Sequence, residues 1–261
     1  MNILFIGDIV GRLGREAVKK NIPLLKRKYD IDFVIANGEN ITNGKGISPA
    51  HYAFLIENGV DCITLGNHYA HWNETYRILD NDDIVRPLNL VQEKHGSGSR
   101  TFDCNGIKIR VTNLLGTNTT PMEIEKPYGS VLDIICEDDS DIHIIDYHGE
   151  YTGEKKAFAY SLKNTVSAVL GTHTHVQTRD AQKLETGVLY ITDVGMCGLY
   201  ESVLGVEYNS VVSRIILEDD NARFKQKDHG DTLFSAVVLK FDDYSFEGKE
   251  IIPIYIIDRE D

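Results

Sequence analysis

Gly171-Thr172-His173-Thr174-His175 follows a short apolar run, Val166 to Leu170, which predicts a buried strand. In an extended segment, two histidines two residues apart point to the same side of the chain. Neutral imidazole is the commonest protein ligand for a transition metal. Because a His-x-His pair at a strand end is by itself more often structural than catalytic, the other strand ends must decide between the two.

Four other predicted strands also end in an acid, an amide or a histidine. In open α/β sheets, ligands bind outside the carboxyl ends of the strands, so residues at such ends converge on one place. Five ends with metal-ligand chemistry therefore favour one shared site over unrelated structural residues. The four strands are Asn2–Ile6 before Gly7-Asp8, Phe33–Ala36 before Asn37-Gly38-Glu39-Asn40, Cys62–Leu65 before Gly66-Asn67-His68, and Ile142–Ile145 before Asp146-Tyr147-His148.

Composition and charge limit the class of protein. With 261 residues, 42% of them hydrophobic and 26% charged, the chain resembles an ordinary globular protein. We expect a single domain over residues 1–261, since no linker or repeat divides the chain. The apolar run Ile3 to Ile6 has no basic segment before it, and no stretch approaches the roughly 20 apolar residues that span a bilayer. These features predict a cytoplasmic protein without a membrane partner.

The formal net charge of −13 argues against long nucleic acids as partners. It leaves a small phosphate substrate possible, because bound divalent cations would reverse the sign of the field in a cleft. The four cysteines contain no C-x-x-C pair, which argues against a disulfide framework or a structural zinc site.

The order of the predicted elements indicates the fold class. The chain begins with βαβ units, and a hairpin is expected around Asn105-Gly106, a favoured tight-turn pair. It ends with three predicted strands, Val211–Leu217, Leu233–Phe241 and Ile251–Ile257. We therefore expect an α/β protein with a mixed sheet, or two packed sheets, and helices outside.

The candidate ligands offer oxygen and nitrogen atoms but no thiolate, a set that suits zinc, manganese or iron. Seven groups exceed what one tetrahedral ion needs, and they match two ions that share one carboxylate. Two metals about 3.5–4 Å apart can clamp the attacking and leaving oxygens of a phosphoryl transfer. The seven are Asp8, Glu39, Asn40, Asn67, His148, His173 and His175.

This order of motifs resembles that of the calcineurin-like metallophosphoesterases. The resemblance rests on Gly7-Asp8, Gly66-Asn67-His68 and Gly171–His175. Two positions depart from the usual pattern of that superfamily. Val10 stands where a histidine is usual, and Asn37-Gly38-Glu39-Asn40 replaces the usual second block.

Both departures are shared by one branch, the bacterial YmdB-type phosphodiesterases. That branch also contains the motifs G-T-H-T-H-V-Q-T and I-T-D-V-G-M, which stand here at Gly171–Thr178 and Ile191–Met196. The resemblance extends from about residue 2 to residue 216. It implies mixed β-sheets packed as a sandwich and flanked by helices, in a four-layer αββα arrangement, and a homo-oligomer.

The resemblance also implies a role for each ligand. Two ions per chain are expected, iron or manganese, with zinc also open. Glu39 would bridge them, and Asn40 would fill the coordination left open by Val10. The first ion would be held by Asp8, Glu39, Asn40 and His175, and the second by Glu39, Asn67, His148 and His173.

His68 would bind no metal and would donate a proton to the leaving oxygen, while a hydroxide bridging the metals attacks phosphorus. The resemblance implies small phosphodiester substrates, 2',3'-cyclic or 3',5'-cyclic nucleotides among them. Two alternatives stay open: a phosphomonoesterase or nucleotidase on the same site, and a metal-stabilised regulatory protein with little turnover. His143 lies within its predicted strand, so we expect it to be structural. We expect His51, His71, His95 and His229 to be surface residues.

Overall fold

Two β-sheets packed against each other form the centre of the protein, as seen in a computed structural model that describes residues 1–91 and 93–260. The strands are β1 (Asn2–Ile6), β2 (Asp8–Ile9), β3 (Phe33–Asn37), β4 (Cys62–Thr64), β5 (Ile84–Val85), β6 (Ser99–Cys104), β7 (Ile107–Leu115), β8 (Ile142–His148), β9 (Ala168–Thr172), β10 (Gln182–Lys183), β11 (Leu189–Ile191), β12 (Met196–Leu199), β13 (Ser202–Val203), β14 (Val206–Glu207), β15 (Thr232–Phe241) and β16 (Gly248–Asp258). The helices are α1 (Gly11–Tyr29), α2 (Pro49–Glu57), α3 (Pro127–Cys136), α4 (Thr152–Ser161) and α5 (Tyr208–Val211), with a 3-10 turn at Asn73–Arg77 and a π-helical turn at Val212–Ile216.

The first sheet combines strands from the beginning and the end of the chain. Its order is β2-β12-β15-β1-β3-β4-β5, and β16 pairs with β15. Strands β1, β3, β4 and β5 are parallel, whereas β15 runs antiparallel to β1. Four of the five residues of β1 are buried, as expected for a central strand covered on both faces. The carboxyl ends of β1, β3 and β4 therefore lie at the same edge of the sheet.

The second sheet has the order β10-β11-β9-β8-β7-β6. Strands β7, β8, β9 and β11 are parallel, so the ends of β8 and β9 also meet at one edge. Strands β6 and β7 form the hairpin predicted around Asn105-Gly106. Both turn residues have the positive φ that this tight turn requires, 56° and 87°.

Three apolar cores define four layers. Phe5 and Ile35 of the first sheet pack with Ile144 and Leu170 of the second, which places the central core between the sheets. A second core joins the outer face of the first sheet to α1 and α2, and a third joins the outer face of the second sheet to α3 and α4. The αββα arrangement confirms the predicted fold class.

One predicted strand is wrong. Val211–Leu217 forms the end of α5 and the π-helical turn, not a strand. The Glu207 side chain accepts hydrogen bonds from the backbone N–H groups of Asn209 and Ser210, and such a cap starts a helix. The apolar side chains at the end of this segment also lie outside the core, since Ile216 is 70% exposed.

Within residues 1–91 and 93–260, none of the helices combines the length and the apolar character needed to cross a bilayer.

Candidate metal centre

Both sheets contribute to one cluster of polar side chains at the carboxyl ends of their parallel strands. The first sheet supplies the acid and amide groups that follow β1, β3 and β4, and the second supplies the histidines that end or follow β8 and β9. All seven candidate ligands are brought together: Asp8, Glu39, Asn40, Asn67, His148, His173 and His175.

Four of these residues form a tight group that we call the inner corner: Glu39, Asn67, His148 and His173. The Nε2 atom of His148 lies 3.0 Å from Asn67 Oδ1, 3.1 Å from His173 Nδ1 and 3.3 Å from Glu39 Oε1. One proton on His148 cannot serve three neighbouring acceptors at once, whereas a cation among the four atoms could contact them all. The inner corner thus has the donor chemistry of a metal site, and ligand atoms of Glu39, His148 and His173 lie within 4.8 Å of one another.

The remaining three ligands form a looser group, the outer corner: Asp8, Asn40 and His175. His175 Nε2 lies 3.7 Å from Asp8 Oδ1 and 3.2 Å from Asn40 Nδ2. Asp8 is fully buried, and its Oδ1 atom has no hydrogen-bond partner within the described part of the chain. Because an unpartnered buried carboxylate oxygen is costly, this atom fits a cation as its missing partner.

Asn40 connects the outer corner to the rest of the cluster through hydrogen bonds. Its Nδ2 donates to Glu39 Oε1 at 2.8 Å, while its Oδ1 lies 2.9 Å from His68 Nδ1. The amide therefore turns its nitrogen, which cannot bind a metal, toward His175. A half-turn of the amide would place the oxygen there instead.

His68 lies beside the cluster and not within it. Its backbone N–H donates to Glu39 Oε2 at 2.9 Å, and its Nδ1 faces Asn40 Oδ1 and, at 3.3 Å, Glu39 Oε1. With Nδ1 held in this way, Nε2 is the ring nitrogen left for other partners. The side chain is 28% exposed, so a small molecule in the cleft could contact it.

Hydrogen bonds behind two histidines fix which nitrogen faces the cluster. Thr172 Oγ1 donates to Asp146 Oδ1 at 2.6 Å and lies 2.9 Å from His148 Nδ1. His175 Nδ1 lies 3.0 Å from the Leu204 carbonyl oxygen, which can only accept. In both rings Nε2 is left as the inward nitrogen, an arrangement that orients metal-binding histidines.

The electrostatics of the cluster favour positive charge. Burial alone would lower the pKa of His148, but Glu39, Asp8 and Asp146 outweigh it and raise that pKa to about 9. Burial and then the charge of His148 lower the pKa of His173 to about 3. Burial would raise the pKa of Glu39, yet His148 and His68 hold it well below its usual range. The carboxylates that stabilise a proton on His148 would also stabilise a metal cation.

The loop after β9, which carries His173 and His175, is not extended, so the expected reason for the shared direction of these two side chains is wrong. His173 and His175 have φ angles of 101° and 65°, in the left-handed region. The His173 N–H donates to Asp8 Oδ2 at 3.1 Å, and the Thr174 N–H donates to Asp193 Oδ2 at 3.0 Å. These bonds turn the backbone, and both rings face the cluster through a turn and not through strand alternation.

A buried ion pair beneath this loop escaped the sequence analysis. Lys155 Nζ, on α4, donates to Asp193 Oδ2 at 3.0 Å and to the Thr172 carbonyl oxygen at 2.8 Å. Both side chains are fully buried. Lys155 and Asp193 thus hold the loop from behind. The only trace in the sequence was Asp193 within the I-T-D-V-G-M motif at Ile191–Met196, which by itself points to no partner.

Gly66 allows the backbone to pass directly behind the inner corner. A Cβ atom at this position would lie 2.2 Å from Glu39 Oε2 and 2.5 Å from His148 Nε2. A side chain would therefore displace two candidate ligands. This steric conflict explains why glycine begins the Gly66-Asn67-His68 motif.

His143 lies outside the cluster. Its Nε2 is 2.8 Å from Thr112 Oγ1, and its Nδ1 is 2.6 Å from Asp138 Oδ2. The buried ring is thus held by the second sheet and the loop after α3, as expected for a structural histidine. His51 is partly buried, and its Nδ1 lies 2.7 Å from Thr42 Oγ1, so it is not the free surface residue that we expected.

Comparison with known proteins gives a consistent family. The profile of a family described as "YmdB-like protein" matches residues 4–254. A Bacillus subtilis protein named 2',3'-cyclic-nucleotide 2'-phosphodiesterase is 39% identical over 261 residues, which cover 99% of this chain and 98% of that protein. A Mycoplasma genitalium protein, provisionally named phosphatase/phosphodiesterase, is 44% identical over 212 residues, covering 78% of this chain and 75% of the relative.

A solved structure shows the same architecture. The crystal structure of a Mycoplasma pneumoniae protein described as a novel phosphatase superposes with a TM-score of 0.93 at 37% identity, covering 100% of this chain and 94% of that one.

Proposed function

The chain belongs to the YmdB-like protein family, a branch of the metallophosphoesterases, and on that premise we propose that this phosphoesterase is a dinuclear-metal phosphodiesterase. We further propose that its substrates are small phosphodiesters, cyclic nucleotides among them. The name of the Bacillus subtilis relative supports the 2',3'-cyclic class over the 3',5'-cyclic class.

The inner corner is the observation that carries the proposal. Asn67 Oδ1, His173 Nδ1 and Glu39 Oε1 surround His148 Nε2 at 3.0, 3.1 and 3.3 Å. These four donors would hold one metal ion. Asp8, Asn40 and His175 would hold a second ion in the outer corner, with Glu39 shared between the two.

Two bound metal ions would supply the charge that neutralises phosphoryl oxygens and would lower the pKa of water to near neutrality. The role of the chain's own residues is to place the ligands and to exclude water. Glu39, Asp8 and His148 are essentially fully buried, so the cluster has one open side, toward His68 and the partly exposed His173 and His175. We propose that a phosphodiester approaches from that side.

His68 would transfer a proton to the leaving oxygen. Its Nδ1 is held by Asn40 Oδ1 at 2.9 Å, so its Nε2 would carry the transferable proton when the ring is protonated. The ring lies beside the ligand cluster, with Nδ1 3.3 Å from Glu39 Oε1, and is not itself one of the candidate ligands. General acid catalysis by such a group typically contributes about 10²–10⁴-fold.

The test compares hydrolysis of bis-p-nitrophenyl phosphate, p-nitrophenyl phosphate and 2',3'-cyclic AMP by purified protein whose metal content is measured by elemental analysis. We expect two metal ions per chain and faster cleavage of both diesters than of the monoester. Preference for p-nitrophenyl phosphate would favour a phosphomonoesterase, and a metal-loaded protein without turnover would favour a regulatory role.

A further inference from the structure

An exposed aromatic pair lies on the rim of the cleft beside His68. His71 and Trp72 follow His68 in a short turn, closed by a hydrogen bond from the His71 N–H to the His68 carbonyl oxygen at 3.0 Å. Trp72 is the only tryptophan in the chain, and it is 37% exposed. The two rings are not needed to position Asp8, Glu39 or His148. The proposed reaction also gives the two rings no role.

The His71 ring neighbours both the His68 ring and the Trp72 ring. The His68 and His71 ring centroids are 6.3 Å apart, and the His71 and Trp72 centroids are 4.9 Å apart. Each pair meets edge to face, at 81° and 88°. A molecule with its phosphate at His68 would thus have aromatic surface beside it over the length of a nucleoside.

Both rings are held in place by the loop before α2. Trp72 Nε1 donates to the Lys45 carbonyl oxygen at 2.7 Å, so the polar edge of the indole is already satisfied. Gly46, with φ at +72°, lets that loop approach so closely that a Cβ there would lie 2.8 Å from Trp72 Cδ1 and 2.9 Å from His71 Cβ. The indole is therefore pre-oriented, which reduces the entropy lost when a ligand stacks on it.

Charge on this rim also suits a nucleotide. The chain carries a net charge of −13, but the exposed Lys45 places an ammonium group near His71. Burial, together with His68 and Lys45, lowers the pKa of His71, which disfavours positive charge on its ring. A ring on which positive charge is disfavoured, close to an exposed lysine, suits an uncharged base attached to an anionic phosphate.

We propose that His71 and Trp72 form the nucleobase subsite, on which the base of a nucleotide substrate stacks while its phosphodiester lies at His68. This inference rests on the proposed function and deepens it, because it assigns two side chains outside the metal centre to recognition of the base. Stacking on an aromatic face favours every base, and purines most, since they offer the larger surface.

Fluorescence of the single tryptophan gives a test that needs no turnover. The metal-loaded protein is titrated with 3'-AMP, ribose 5-phosphate and inorganic phosphate. We expect 3'-AMP to change the Trp72 emission in a saturable way, and the two base-free ligands to leave it unchanged. Equal responses to 3'-AMP and ribose 5-phosphate, or no response to any of them, would overturn the subsite.

Kinetics of a Trp72→Ala variant give the second test, with 2',3'-cyclic AMP and ribose 2',3'-cyclic phosphate as matched substrates. We expect KM for 2',3'-cyclic AMP to rise about 5- to 100-fold, the range of base–aromatic stacking, with kcat little changed. Cleavage of the base-free diester should be unaffected, and Trp72→Phe should keep most of the affinity.

Tyr76→Ala is the matched control, because Tyr76 lies on the same turn, is also 37% exposed and instead packs on His95 at 5.5 Å. The two proposals fail differently. Unchanged KM in Trp72→Ala, with 2',3'-cyclic AMP still cleaved, would overturn the subsite alone. A wild-type protein that cleaves neither diester would overturn the proposed function, and the fluorescence titration would then decide on the subsite by itself.

Discussion

The inner and outer corners differ in how completely the fold places their donor atoms. In the inner corner, three donors lie 3.0–3.3 Å from His148 Nε2, and that ring is fully buried and oriented by Thr172. In the outer corner, Asp8 and His175 are 3.7 Å apart, and Asn40 presents its nitrogen. The difference teaches that one half of the centre is prearranged by packing, whereas the other half would be completed by its ion.

In the proposed centre Glu39 would bind the ions of both corners, so its replacement should remove the difference between the corners altogether. Glu39→Gln keeps the shape of the side chain but removes the charge that two cations need. We expect both ions to be lost and kcat/KM for bis-p-nitrophenyl phosphate to fall about 10³-fold or more, since metal ions contribute several kcal/mol to such reactions. Elemental analysis and the diester assay measure the two effects.

Glu150→Gln serves as the control for this change. The Glu150 side chain is 57% exposed and lies 3.3 Å from His173 Nε2, outside both corners. The Glu150→Gln variant should keep both ions and most of the activity. A Glu39→Gln protein that retained two ions per chain would show that Glu39 is not shared.

His68 contacts the outer corner through Asn40 yet belongs to neither group of ligands. His68→Ala should keep both ions and lose about 10²–10⁴-fold in kcat toward 2',3'-cyclic AMP, whose alkoxide leaving group needs a proton. The loss should be smaller with bis-p-nitrophenyl phosphate, because p-nitrophenolate leaves without protonation. His95→Ala, at an exposed histidine that belongs to neither corner, should behave like wild type. Equal losses on both substrates, or loss of metal, would contradict the proton-donor role.

Lys155 supports the loop from which both corners take a histidine. Lys155→Met leaves Asp193 buried without its partner, and breaking a buried pair typically costs about 3–5 kcal/mol of stability. Urea unfolding measures this change, and Lys155→Met combined with Asp193→Asn should recover part of it.

The exposed pair of Lys240 and Glu250, 2.9 Å apart, provides the control for the buried one. Lys240→Met should change the free energy of unfolding by about 1 kcal/mol or less. Similar effects of Lys155→Met and Lys240→Met would mean that the buried pair does not hold the loop.

Stepwise removal of metal should test the difference between the inner and outer corners most directly. Turning the Asn40 amide sacrifices hydrogen bonds worth about 0.5–1.5 kcal/mol each, so we expect the outer ion to bind about tenfold more weakly. A chelator titration followed by elemental analysis should therefore show one ion leaving before the other. His175→Ala should retain one ion, in the inner corner, whereas loss of both or neither would contradict the division into corners.

The strand ends could be predicted from sequence because each one is a local pattern. An apolar run followed by glycine and a polar residue identified Asp8, Glu39 and Asn67, an apolar run followed directly by polar residues identified His148, and the parallel topology brought the four together. The supports of the site could not be predicted in the same way. Lys155 and Asp193 are 38 residues apart, and Leu204 contributes only a backbone oxygen to His175, so no local pattern marks either contact.

The error at Val211–Leu217 has a different cause. Its run of branched apolar residues has the composition of a strand, and composition alone does not show whether a neighbouring strand is available. The carboxylate of Glu207, four residues before Val211, caps this segment and thereby favours a helix. The unexpected turn at His173 and His175 likewise depends on Asp8 and Asp193, which are distant in sequence.

The carboxylates come from one sheet and the histidines from the other. This division would make the stability of the protein depend on the availability of metal. An ion held by Glu39 and His148 would link the two sheets, and this binding site would exist only in the folded chain. Ligands that bind only the native state raise its stability by about 2.7 kcal/mol at 100 times the dissociation constant. The melting temperature would then report the free metal concentration around the protein. In a cell starved of that metal, the apoprotein would be the form most exposed to proteolysis, so the amount of enzyme would follow the amount of cofactor without any dedicated regulator.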